Sequence, residues 1–160
     1  MELTLADEAA TTAAGAALAL ALPALAHQRL LLGLSGELGS GKTTLARGLL
    51  RALGVEGTIR SPTYTLVEPY ETAAGSVHHL DLYRLTGGGG ELEALSFREL
   101  RALPGLVMVE WPERAGAALG LADVQAALAI IDSGRQLTLA ARTGAGRAWL
   151  AAVSRSAVSS

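Results

Sequence analysis

The eight residues Gly36-Glu37-Leu38-Gly39-Ser40-Gly41-Lys42-Thr43 fit G-x-x-x-x-G-K-[ST], the spacing of a loop that wraps the phosphates of a nucleotide. Such a loop must bring backbone N–H groups within hydrogen-bond reach of phosphate oxygens. Glycine belongs at Gly36, Gly39 and Gly41, where a Cβ would obstruct or φ must turn positive. A helix starting directly after the loop adds its dipole and unpaired N–H groups, which favour an anion. In that arrangement Lys42 reaches the β- and γ-phosphates and the Thr43 hydroxyl ligates Mg²⁺. Lys42 is also the only lysine of the chain, every other basic residue being arginine. A composition that avoids lysine everywhere else points to a need here for a compact ammonium on a flexible stem.

A magnesium-dependent phosphate site also needs an acid from a neighbouring strand, and two strand-like runs end in one. These are Val77-His78-His79-Leu80-Asp81 and Leu106-Val107-Met108-Val109-Glu110. Spacing leaves open which carboxylate is the metal partner. Both belong at the carboxyl edge of an α/β sheet, where ligands of such sheets sit. His79 shares the face of Asp81 and reads as a structural histidine, and Trp111 either covers a nucleotide or packs. Between loop and acids, Arg60-Ser61-Pro62-Thr63-Tyr64-Thr65 sets hydroxyls around a proline. Its oxygens suit a switch segment that senses a γ-phosphate, or equally a solvated turn.

The elements that must position these groups can be read in order. Met1 to Leu5 suits a short strand, followed by Thr4 and Asp7 as N-cap and capping-box acid of a helix from Ala9 to Leu25, rich in Ala and Leu and buried on more than one face. Leu30 to Leu34 is a continuous apolar run, as in a parallel strand covered on both sides. The helix after the loop runs to about Leu53, with Gly54 as its C′ residue. A strand from Thr65 to Tyr70 pairs with Val77 to Asp81 as a hairpin, which makes the sheet mixed. Gly87 to Gly90 reads as a flexible linker, Glu91 to Leu103 as a helix stopped by Pro104-Gly105, and Ala126 to Ile131 with Gln136 to Ala141 as a hairpin turning at Asp132 to Arg135. Ala148 to Val153 suits a last strand, and Ser154 to Ser160 a frayed tail. The expected fold is α/β and P-loop NTPase-like, a mixed central sheet flanked by helices, with residues 1–153 forming one domain.

Composition excludes several classes. At 160 residues, half of them hydrophobic, the chain can bury a core, so disorder is not the default. A net charge of −2 provides no basic surplus for gripping nucleic acid alone. Cysteine is absent, which rules out disulfides and thiolate metal sites and suits a reducing cytosol. The longest apolar stretch, Ala13 to Ala26, is interrupted by Pro23 and follows acids, so no membrane span or secretory signal is expected. These features together describe a soluble cytoplasmic protein.

GELGSGKTT, SPTYTLVEPY, H-x-DLYRL at His79 to Leu85 and EWPE at Glu110 to Glu113, in this order and spacing, resemble the bacterial TsaE (YjeE) family. The resemblance runs from about Asp7 to Arg114 and weakens beyond Gly120. It implies a small ATPase needed, with partner proteins, to form N6-threonylcarbamoyladenosine at position 37 of tRNAs reading codons that begin with A. By this resemblance Gly39, Ser40, Gly41, Lys42, Thr43 and Thr44 form the phosphate cradle, with Leu38 beside it, and Thr43 and Glu110 ligate Mg²⁺. Ser61, Thr63 and Thr65 fall in the switch segment, Asp81 matches the acid of hydrolysis, and Trp111 adjoins the nucleotide. Glu8 and Thr11 lie near the base, with Arg135 a looser match. The partners implied are TsaD and TsaB, with tRNA met only through that complex, and ATP and Mg²⁺ as ligands. Tetraglycine at Gly87 departs from the family's shorter, acidic approach to its helix. Two rival functions use the same loop: a small-molecule kinase, whose lid would have to come from Arg98 to Arg101, and a binding module in which ATP only fixes the switch segment.

Overall fold

The computed structural model describes residues 1–86 and 89–158. Gly87 and Gly88 of the expected linker, and Ser159 and Ser160 of the expected tail, lie outside them. The sheet grows around β2, Arg29–Ser35, whose sequence RLLLGLS leaves Leu30, Leu31, Leu32 and Leu34 at 1% exposure or less. Alternation of side chains along a strand explains how one apolar run serves two cores. Leu30, Leu32 and Leu34 face one hydrophobic cluster, while Leu31 faces a second. β5, Gly105–Glu110, repeats the division with Leu106 and Met108 on the first side and Val107 and Val109 on the second.

Seven strands form one sheet in the order β1-β7-β6-β2-β5-β4-β3. The others are β1 (Glu2–Leu5), β3 (Val67–Thr72), β4 (Gly75–Asp81), β6 (Val124–Ile131) and β7 (Gly134–Ala141). β6, β2, β5 and β4 run parallel, while β7, β1 and β3 pair antiparallel, giving the mixed sheet the hairpin pattern predicts. On the first face lie α1 (Glu8–Leu20), α2 (Lys42–Ala52) and α5 (Gly144–Val158). α1 and α2 approach so closely that a Cβ on Gly15 would lie 2.1 Å from the Leu45 carbonyl oxygen, and one on Gly48 2.2 Å from that of Thr12. Glycine is required at both positions because any side chain would push the helices apart. α3 (Gly89–Ala94), α4 (Phe97–Ala102) and the 3-10 segment Pro112–Leu119 cover the second face through Leu92, Phe97, Ala115 and Leu119.

Several boundaries differ from the sequence-based expectation. Asp7, not Thr4, caps α1, its carboxylate accepting the Ala10 N–H at 2.7 Å. α1 stops at Leu20 because Pro23 disfavours helix at the residue before it. Its buried residues Thr11, Gly15, Leu18 and Ala19 form one stripe rather than several faces. β3 begins at Val67, so Thr65 belongs to the preceding turn. Gly89 and Gly90 open α3, and the helix expected from Glu91 to Leu103 breaks at Ser96, where φ is +53°. Gly134 and Arg135 belong to β7 rather than to the turn. The largest change concerns the C-terminus, where the expected strand Ala148 to Val153 and the first residues of the expected tail are helical in α5. Thr143 caps that helix by accepting the Gly146 N–H at 3.1 Å. Trp149, Leu150 and Val153, at helical spacing, then fall on the buried side.

Candidate functional site

Parallel pairing fixes where the acids emerge. Leu34 stands opposite Glu110 and Glu110 opposite Asp81, so β2, β5 and β4 end side by side at one edge of the sheet. From β2 the chain enters the loop Gly36 to Gly41 and turns directly into α2 at Lys42. Gly36 has φ +140°, and a Cβ there would lie 2.3 Å from the Leu128 carbonyl oxygen. Gly39 and Gly41 also have positive φ, at 77° and 105°. The glycines expected for a phosphate cradle therefore stand in conformations that a side chain would oppose.

A cavity of about 340 Å³ opens over this loop. It brings together Glu8, Thr11, Leu38, Gly39, Gly41, Lys42, Thr43, Thr44, Ser61, Thr63, Asp81, Glu110, Trp111 and Arg135, nearly all the residues singled out from the sequence. Two fall elsewhere. Ser40 is wholly buried beneath the loop and its Oγ has no hydrogen-bond partner among the described residues. Thr65 faces a separate groove beside Arg60, Tyr64 and Tyr70, because the turn around Pro62 points it away from the cavity. Tyr83 lines the cavity without having been singled out. Its signal lay in DLYR, since it sits two residues past Asp81, and its ring lies 5.0 Å from that of Trp111.

The polar contacts fall into three sets. The Thr43 hydroxyl lies 3.0 Å from each carboxylate oxygen of Glu110, and His79 Nε2 lies 2.8 Å from Glu110 Oε1. Asp81 Oδ2 accepts from the hydroxyls of Ser61 and Thr63, and Asp81 Oδ1 accepts the Tyr83 N–H at 2.9 Å. Lys42 Nζ donates to the carbonyls of Gly36 and Glu37 at 2.7 and 2.9 Å and stands 4.0 Å from the centre of the Trp111 ring. Burial lowers the Lys42 pKa below its ordinary value, with Glu110, Glu113 and Asp81 pulling in the opposite direction. Arg135 reaches in from β7, 3.2 Å from where a Cβ on Gly41 would stand, and its Nε is buried without a hydrogen-bond partner among the described residues.

These features suit an anionic ligand with a small hard cation. Thr43 and Glu110 offer one hydroxyl and one carboxylate, a donor set that suits Mg²⁺ when phosphate and water complete the shell. No group of three His, Cys, Asp or Glu suited to a metal occurs among the described residues. Asp123 is another buried carboxylate, but it sits at the far end of the sheet bound to the Leu31 N–H and the Thr143 hydroxyl. Arg98 pairs with Glu93, and Arg101 reaches the Arg29 carbonyl at 3.5 Å, so neither covers the cavity.

Comparison with known proteins identifies the family and the fold. Residues 5–139 match the family model described as threonylcarbamoyl adenosine biosynthesis protein TsaE. A tRNA threonylcarbamoyladenosine biosynthesis protein TsaE from Haemophilus influenzae is 40% identical over 121 residues, 76% of each chain. One from Synechocystis is 42% identical over 118 residues, 71% of each. In structure, Bacillus subtilis YdiB superposes with a TM-score of 0.78 over 98% of this chain and 95% of its own, at 22% identity, a likeness of fold. Among the described residues no helix is long and apolar enough to cross a membrane.

Proposed function

The chain belongs to the TsaE family of tRNA threonylcarbamoyladenosine biosynthesis, and from that premise we propose that it is a cytoplasmic Mg²⁺-dependent ATPase acting with TsaD and TsaB. The reading places the chemistry in a single P-loop domain, and tRNA meets the chain only within the assembled complex, in keeping with a net charge of −2. The observation that carries the reading is the Thr43 hydroxyl at 3.0 Å from the Glu110 carboxylate, beside Lys42, at the end of a loop whose glycines hold positive φ.

Each side chain has a task in this reading. Backbone N–H groups of the loop and of the first turn of α2 bind the phosphates, since the opening residues of a helix lack intrahelical acceptors. Lys42 exchanges one of its loop carbonyls for a phosphate oxygen and takes up charge as the bond to the γ-phosphate breaks. Arg135, which lines the same cavity, offers its buried Nε–H to the same anion, while Glu8 and Thr11 flank the base end. Thr43 and Glu110 hold Mg²⁺. When bound, the cation neutralises charge on the β- and γ-phosphates. Asp81 orients the attacking water. A carboxylate has about four lone-pair sites, and Ser61, Thr63 and Tyr83 use three of them, which leaves one for that water. Ser61 and Thr63 thereby tie the switch segment to the hydrolytic acid.

The test uses ATP labelled in the γ-phosphate with the purified protein, alone and with TsaD, TsaB and unmodified tRNA. Label should pass to water, slowly for the protein alone and faster in the complex, and modified adenosine should accumulate over many turnovers. Transfer of label to an organic acceptor would identify a kinase. Equal support of modification by a non-hydrolysable analogue would identify a binding module. Asp81→Ala should retain nucleotide binding while hydrolysis falls by about 10²–10⁴-fold. Lost binding with intact turnover would overturn the role given to Asp81.

A further inference from the structure

His79 is a buried polar side chain in contact with the site for which neither the phosphate cradle nor the hydrolytic acid has a use. It is wholly buried on β4, it does not line the cavity, and it lies behind Glu110 with Nε2 at 2.8 Å from Oε1. Its Nδ1 has no hydrogen-bond partner among the described residues, so the contact with Glu110 is the one polar interaction recorded for the ring. A buried ring nitrogen left unpartnered is destabilising, and a phenylalanine at the same position would avoid that cost. The ring must face a carboxylate oxygen, and only the tautomer with the hydrogen on Nε2 makes that contact attractive.

We propose that His79 is a positioning residue that holds the Glu110 carboxylate in the orientation needed to ligate the divalent cation, by donating Nε2–H to Oε1. The inference rests on reading Thr43 and Glu110 as the metal ligands. Without a cation, Glu110 accepts from both Thr43 and His79. A cation drawing on the Thr43 oxygen competes for that first contact, whereas His79 is wholly buried and does not line the cavity. The imidazole donor therefore keeps the carboxylate from turning when its cavity-lining partner changes. Hydrogen-bonded support of this kind behind a metal ligand is worth about 10–100-fold in metal affinity.

The geometry gives a directional test, because Gln places an amide N–H where Nε2 stands and Asn places one nearer Nδ1. Mn²⁺ serves as the probe, titrated into the full chain with a non-hydrolysable ATP analogue and followed by loss of the free-ion electron paramagnetic resonance signal. Nucleotide affinity in EDTA is measured alongside. His79→Gln should stay within about threefold of the unaltered protein, while His79→Asn and His79→Phe should bind Mn²⁺ about 10–100-fold more weakly, with affinity in EDTA unchanged. Equal Mn²⁺ affinity for Gln and Asn, or Phe binding as tightly as histidine, would overturn the inference. The Gln and Asn pair still decides if Phe fails to fold. Were the unaltered protein to take up no Mn²⁺ with the nucleotide, the metal reading of Thr43 and Glu110 would fall, and this inference with it.

Discussion

At the amino end of the β2 strand the buried Asp123 carboxylate is engaged on both oxygens. Oδ2 accepts the Leu31 N–H at 2.8 Å, Oδ1 accepts the Thr143 hydroxyl at 2.5 Å, and Thr143 in turn caps α5. At the carboxyl end, among the described residues, Arg135 Nε is buried without a hydrogen-bond partner beside the cavity, and the Lys42 ammonium is held by carbonyls of its own loop. Each end buries polar groups beside the same strand, yet one end has closed its network and the other has not. An unpaired buried polar group costs about 1–3 kcal/mol, so one kept beside a cavity is arranged for a partner from outside the chain. The closed network joins α5 and β6 to β2, and the open one belongs to the proposed nucleotide site.

The contrast breaks most sharply at Lys42. Lys42→Ala should lower ATP turnover by at least about 10²-fold while the melting temperature moves by no more than about 4 °C. Parallel hydrolysis assays and calorimetry check both, and a large loss of stability would show the open end to be structural as well. Asp123→Ala should do the reverse. It leaves the Leu31 N–H and the Thr143 hydroxyl without their acceptor, for a loss of about 1–3 kcal/mol and a fall of several degrees in melting temperature. Nucleotide affinity of the folded fraction should be unchanged. The smallest effect is optical. Trp149 is sealed in the core with its Nε1–H on the Leu18 carbonyl, whereas Trp111 stands over Lys42 at the cavity. In a Trp149→Phe variant, added ATP should shift the emission of Trp111 as Lys42 leaves the ring. The same addition to a Trp111→Phe variant should leave Trp149 unmoved.

Much of the proposed site was legible before any coordinates. The glycines at Gly36, Gly39 and Gly41 encode backbone angles, and a strand that ends in Glu110 or Asp81 encodes the edge at which its acid emerges. Those are local rules. The segments that misled were those in which one composition suits two structures. Ala148 to Val153 is short and apolar, compatible with a strand, and became helix because Thr143 caps α5 and Trp149, Leu150 and Val153 match its buried side. Thr65 looked like its neighbours Ser61 and Thr63, but the turn at Pro62 sent it to the other side of the loop. Tyr83 was hidden because it follows the strand, where alternation no longer predicts a facing.

The sequence by itself determined the phosphate-loop pattern, the two acid-tipped strands and the mixed sheet, because loop angles and side-chain alternation are set by residues close along the chain. Residue spacing left open which acid meets Thr43; the family resemblance pointed to Glu110, and the fold supplies the physical reason. The pairing of β2 with β5 sets Glu110 opposite Leu34, while Asp81, one strand further out, meets Ser61 and Thr63 instead. The contact of His79 with Glu110 arises in the same way, across 31 residues of sequence and between adjacent strands. Such contacts depend on sheet order and register, which the packing of the whole core fixes.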